Sequence, residues 1–309
     1  MLQMHEIART AWLDGAFRAR PQRLVFGQTY EDAEIELRAI PQRRRVFCIA
    51  GAGYTAQALV GAGHRVTAVD ICPAQLEYAV ARNGGGLPRT GAAERLLGVG
   101  RNLAAICGWT RKKLDIFLDL ATCSEQVQHW DRELDTPMWR AIVDTLLAPR
   151  ILRLCYRGPL VASLPCGFGP ILRRRLRRGW ASHLNRLNPF AALLLAGKPL
   201  PCSERAALPI RFVCADAAEF LEDCARGSFD AFALSNIGDG ASTEYLRRLH
   251  AAVERAAAPG AIVISRSFAE PSGEMKANLA AMDRAMLWGV VAVCRADALC
   301  EGGVPCCIG

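Results

Sequence analysis

The chain has 309 residues, 51% of them apolar, and a formal net charge of +8 at pH 7. That length and apolar content bury a full core, which excludes a disordered chain and fits one large α/β domain or a domain with an insertion. The charge is confined: ten basic and no acidic residues stand between Thr145 and Ser203, leaving 28 basic against 30 acidic elsewhere, a remainder of −2.

Residues 1–45 read as a helical lead-in, with Ala11-Trp12-Leu13 in one helix and a second over about residues 31–40. His5, Glu6, Arg9 and Asp14 interrupt the apolar positions at the start, so no signal-peptide core is visible. No stretch reaches the roughly 18 apolar residues of a membrane span. A cytoplasmic location follows, with peripheral contact to a membrane left open by the basic segment.

Val46-Phe47-Cys48-Ile49 then reads as a buried parallel strand that breaks into Ala50-Gly51-Ala52-Gly53, where missing side chains let backbone N–H groups approach a ligand. A helix over residues 55–63 leads to a second strand, His64-Arg65-Val66-Thr67-Ala68-Val69-Asp70. Its final carboxylate is placed to accept from both hydroxyls of a ribose. The turn lacks the third glycine of a dinucleotide fingerprint, which favours S-adenosylmethionine over a pyrophosphate cofactor. The plain alternative is a helix packed tightly on a sheet.

Pro73 to Asn83 reads as a helix with proline in its first turn, ended by Gly84-Gly85-Gly86. From 87 to 208 the period is helical throughout, which makes a basic helical insertion between two parts, 46–86 and 209–309, of one Rossmann-like domain. Within it Arg173, Arg174, Arg175, Arg177 and Arg178 adjoin Trp180 and the apolar run from Pro189 to Leu195. Such a group suits an anionic bilayer surface, the alternative being a solvated helix face; nucleic acid is disfavoured because only Trp180 offers a stacking platform.

The α/β rhythm resumes with strands ending at Asp216, near Ile237 and near Ser265, the last two separated by a helix over residues 242–257; Val290 to Cys294 is a sixth strand. The expected fold is therefore α/β: a Rossmann-like, methyltransferase-type, mostly parallel sheet with a large helical insertion. Thirteen cysteines, an odd number, include Cys48, Cys214 and Cys294 inside apolar runs, and Cys300, Cys306 and Cys307 lack a nearby His. Neither a disulfide framework nor a metal site is expected.

Asp216 ends its strand as Asp70 does and can accept from an adenine amino group, though its spacing to Glu219 equally suits a helix N-cap. Ser235-Asn236, with Asp239 beyond, put short polar groups at the crevice; an ordinary turn with Gly238 and Gly240 would read alike.

Gln28-Thr29-Tyr30-Glu31-Asp32, Ala50-Gly51-Ala52-Gly53, Val69 to Gln75, Asn188-Pro189-Phe190 with Gly197, and Phe229 to Ile237 together resemble the S-adenosylmethionine:diacylglycerol 3-amino-3-carboxypropyltransferases, over roughly residues 22 to 268. The Ser-Asn-Ile strand and the element around Gln28 are its specific parts; Tyr30 stands where that family usually has Trp. The resemblance implies transfer of an aminocarboxypropyl group from the sulfonium to a lipid hydroxyl, a step in betaine-lipid synthesis. It implies cofactor contacts at Ala50, Gly51, Ala52, Gly53, Asp70, Ile71, Gln75, Asp216, Ala217, Ser235 and Asn236. A base must take the acceptor proton. Asp239, Asp32, Tyr30 and His129 are the candidates, with Asp239 favoured for its place at a strand end and Asp32 for its motif; a lone His129 on a helix is more often structural. The acceptor is a lipid or a small molecule. Methyl transfer on the same scaffold is the alternative, and a non-catalytic cofactor- or RNA-binding module is a second.

Overall fold

A computed structural model describes residues 3–4, 23–201, 207–271 and 278–299; the Ala11-Trp12-Leu13 helix and the cysteines at 300, 306 and 307 lie outside the described residues. Seven strands make one sheet: β1 (Gln3–Met4), β2 (Arg45–Ile49), β3 (Arg65–Asp70), β4 (Arg211–Cys214), β5 (Phe229–Ala233), β6 (Ala257–Ser267) and β7 (Val290–Arg295). Their order is β1-β4-β3-β2-β5-β6-β7, parallel at every pairing except β6 with β7. The architecture is Rossmann-like α/β.

The strands alternate between two buried clusters, as period-2 side chains must when helices cover both faces. Phe47 packs on Phe220, Phe229 and Phe232 on one face, while Val46 and Cys48 join Ala68, Ala231 and Ile264 on the other. Two features at the sheet edges add to the expected architecture. Among the described residues the lead-in supplies a strand, β1, and a short helix, Glu34–Ala39; a two-residue strand shows no alternation to read. The last strand, β7, pairs antiparallel with β6, in keeping with a sheet that is mostly parallel.

The insertion runs from the helix Ala92–Ile106 to the helix Pro189–Ala196. Its helices begin where the sequence provides caps: the side chains of Thr110, Thr122 and Thr136 accept from the N–H groups of Lys113, Glu125 and Trp139. It buries its own cluster around Trp109, Phe117, Trp130, Leu134 and Trp180, with Phe117 set edge-on to Trp180 at 5.3 Å between centroids.

This cluster takes up the tryptophan beside the basic run. Trp180 is fully buried and Phe190 nearly so, so neither faces a bilayer. On the helix Phe168–Ser182, Arg175 is buried and donates to the carbonyls of Phe268, Ala269 and Leu287 and to Glu270. Arg173 pairs with Asp144, Arg177 with Asp131, and Arg178 donates to the Trp288 carbonyl. Their acids come from sequence outside the acid-free segment. Among the described residues no helix is long and apolar enough to cross a membrane.

Candidate functional site

Strand order reverses between β2 and β5: β3 and β4 extend the sheet to one side of β2, β6 and β7 to the other side of β5. Ligands of open parallel sheets bind outside the carboxyl ends of the strands at such a switch point. Here those ends are the Ala50–Gly53 turn and Ser235. Cys48 is level with Ala233, so continuing the register sets Ala50 beside Ser235.

The turn has the geometry its glycines allow. Gly51 and Gly53 have φ of 49° and 88°, left-handed values that favour glycine. A Cβ added at Gly51 would meet no protein atom within 4 Å, so it would fill open space above the turn. Ala50 and Ala52 are buried, and the Ala50 N–H donates to the Val69 carbonyl. Asp70, half-buried, accepts from the Gly51 N–H at 3.1 Å and the Cys72 N–H at 2.9 Å. Burial pushes its carboxyl up to about 6 despite those two bonds. A carboxylate has about four acceptor positions, so two remain for hydroxyls. The open turn and this acid fit the adenosyl half of S-adenosylmethionine.

Gln75 has a different place. Its Oε1 accepts from the N–H groups of Val25 and Phe26 and its Nε2 donates to the Phe26 and Gly51 carbonyls, so its amide ties the lead-in to the turn. Ile71 is half-buried in the bend after β3. Asp216 caps the helix Ala217–Asp223 through the Glu219 N–H and accepts from the Tyr245 hydroxyl with its other oxygen, while Ala217 is the first, buried residue of that helix.

Across the switch point, Ser235 has φ of 55°, an uncommon value for a non-glycine residue and a form of strain that clusters at functional sites. Its backbone is pinned by the Arg266 N–H on its carbonyl at 2.7 Å, and its Oγ donates to Glu31. Arg266 has no exposed side-chain surface and meets Glu36 at 2.5 Å, Asp283 at 3.0 Å and Glu31 at 3.5 Å. Burial opposes its charge, but these carboxylates outweigh it and raise its pKa. Burial likewise raises Glu31, against Arg266 and Ser235 and with Glu36, and pushes Asp283 up to about 6.

The candidate bases separate clearly. Burial would raise Asp32, but its bidentate contact with Arg284, 2.5 and 2.7 Å, holds it below the ordinary value. Tyr30 donates to Glu94, and burial beside that carboxylate raises its hydroxyl. His129 stacks on Phe117 at 5.5 Å within the insertion's own core, with no contact to the crevice among those described. Asp239 is buried and raised, and accepts from Ser267 Oγ at 2.6 Å, the Phe268 N–H at 3.0 Å and Asn236 Nδ2 at 3.3 Å. Glu31, inside the element around Gln28 but not singled out by sequence, is the carboxylate that touches Ser235.

Ser235, Asp239 and Ser267 line one cavity of about 430 Å³, closed by the helices Gly158–Ser163 and Thr243–Ala256. Pro159, Leu234, Ile237, Leu246 and Val263 make much of its wall apolar. The fold is Rossmann-like, with an open crevice at its switch point. Compared with models of known families, with curated proteins and with solved structures, the chain matches none.

Proposed function

We propose that the chain is an S-adenosylmethionine-dependent transferase that moves the 3-amino-3-carboxypropyl group to a hydroxyl of a lipid-like, diacylglycerol-type or small acceptor. The observation that carries the reading is a contact. The two elements specific to the resemblance, around Gln28 and around Ser235, lie 204 residues apart and meet through Glu31 and Ser235 beside the glycine turn. A sulfonium supplies a carbon already joined to a good leaving group. The chain's part is then to hold an acceptor oxygen in line and accept its proton, and alignment alone accounts for a large share of such accelerations. Gly51 and Asp70 hold the adenosyl end, while the partly apolar cavity behind Ser235 suits an acceptor with one polar group.

The test is chromatography of the spent cofactor after incubation with S-adenosylmethionine and a lipid extract. Methylthioadenosine is the expected by-product. S-adenosylhomocysteine alone would mean methyl transfer, and an unconsumed cofactor would mean a binding module.

A further inference from the structure

We propose that Ser235 and Glu31 form a proton relay, in which the Ser235 hydroxyl takes the acceptor's proton while passing its own to the Glu31 carboxylate. The inference rests on the transferase reading above and assigns its base to a residue outside the four sequence candidates. Ser235 is the catalytic residue of the couple because it is the one of the two that lines the cavity; Glu31 acts through it.

Four observations converge. Ser235 is held at a strained φ of 55° by the Arg266 N–H on its carbonyl and by the neighbouring Leu234 N–H on the Ile264 carbonyl, which fixes where its Oγ points. That Oγ lies against Glu31 Oε1, with Asn236 Oδ1 3.4 Å away as its other neighbour. Among the described residues the only cation facing Glu31 is Arg266 from β6, at 3.5 Å from the second carboxylate oxygen, and its guanidinium is already engaged by Glu36 from the helix Glu34–Ala39 and by Asp283. One positive charge among three carboxylates leaves excess negative charge, so a proton arriving on Glu31 relieves repulsion. Asp32 is neutralised separately by Arg284 and adds no free base. Burial of Glu31 acts in the same direction.

The step balances. The acceptor O–H bond breaks, its proton goes to Ser235 Oγ, and the serine proton goes to Glu31, which becomes a neutral acid. The oxygen's electron pair forms the new C–O bond as the C–S pair returns to sulfur, leaving a neutral thioether.

The experiment measures methylthioadenosine release by the full chain against pH, with S-adenosylmethionine and a diacylglycerol dispersed in nonionic detergent micelles. Positioned proton transfer contributes on the order of a hundredfold or more. Glu31→Gln should slow turnover by about that factor and abolish the acid limb of the pH profile, with cofactor affinity by calorimetry unchanged. Glu31→Asp should keep the limb and recover part of the rate. Ser235→Ala, which removes only a hydroxyl, should lose rate at saturating S-adenosylmethionine and guards against a folding defect in the glutamate variants. A Glu31→Gln variant that turns over like the parent, or keeps the acid limb while Asp239→Asn loses it, overturns the relay alone. A parent that binds no S-adenosylmethionine overturns the transferase reading and the relay with it.

Discussion

Asp70 gives the sharpest test of the proposed cofactor site. Its folded carboxyl, at about 6, lies above the ordinary 3.8, so between those pH values the folded chain holds a proton that the unfolded chain has lost. The contribution of this group to stability is therefore full at acid pH and declines as pH rises through about 6. A ribose that accepts nothing and donates two hydroxyls needs the ionised form, so affinity should run the other way, rising as pH rises through the same range. Replacing Asp70 by Asn removes the charge at near-constant shape. Hydrogen bonds to a charged group contribute about 1.5 to 3 kcal/mol, which predicts a loss of roughly ten- to a hundredfold in affinity. Asp70→Ala should lose more, because the Gly51 and Cys72 N–H groups lose their acceptor as well. Titration calorimetry with S-adenosylmethionine on both sides of the titration reads both effects. An Asn variant with parental affinity, or a parent whose affinity ignores pH, refutes the ribose assignment.

Arg266→Met should cost about 3 to 5 kcal/mol in urea unfolding near neutral pH, since it strands the buried carboxylates of Glu36 and Asp283. The cost should shrink in acid as Asp283 takes up a proton, and a loss under about 1 kcal/mol contradicts the network's role. The basic helix yields a contrast between neighbours. Arg175→Gln, buried among three carbonyls and Glu270, should destabilise by about 2 kcal/mol or more, whereas Arg177→Gln, in an exposed pair with Asp131, should cost less than about 1 kcal/mol. Equal losses would mean the run is uniformly solvated.

Local signals carried most of the sheet. Val46 to Ile49, Arg65 to Asp70 and Pro73 to Asn83 fall where apolar runs, a terminal acid and a proline-initiated helix put them. The same holds for the helical period of the insertion. What local signals could not carry was partnership across long separations. The arginines at 173 and 177 form an unbroken basic face in sequence, but their acids lie on other helices, 29 and 46 positions away. Arg266 and Glu36 stand 230 positions apart, and nothing near either one marks a buried ion pair. Glu31 carries no local mark for the same reason: its contact is with Ser235, 204 positions away, whose left-handed backbone leaves no trace in residue type. A short polar residue directly after the β5 run was the one available signal.

Glu94, on the first insertion helix, accepts from the N–H groups of Gly27, Gln28 and Gly91 and from the Tyr30 hydroxyl. The backbones there touch: a Cβ at Gly27 would sit 1.8 Å from the Arg89 carbonyl oxygen, and one at Gly91 2.4 Å from that of Val25. Through Gln75 the same lead-in segment grips Gly51. The insertion is consequently not a detachable accessory. Excising it to leave a bare sheet would free the strap over the glycine turn, and grafting it from a related chain would succeed only if residues 24–30 travelled with it, which makes the strap and the insertion a single unit of exchange.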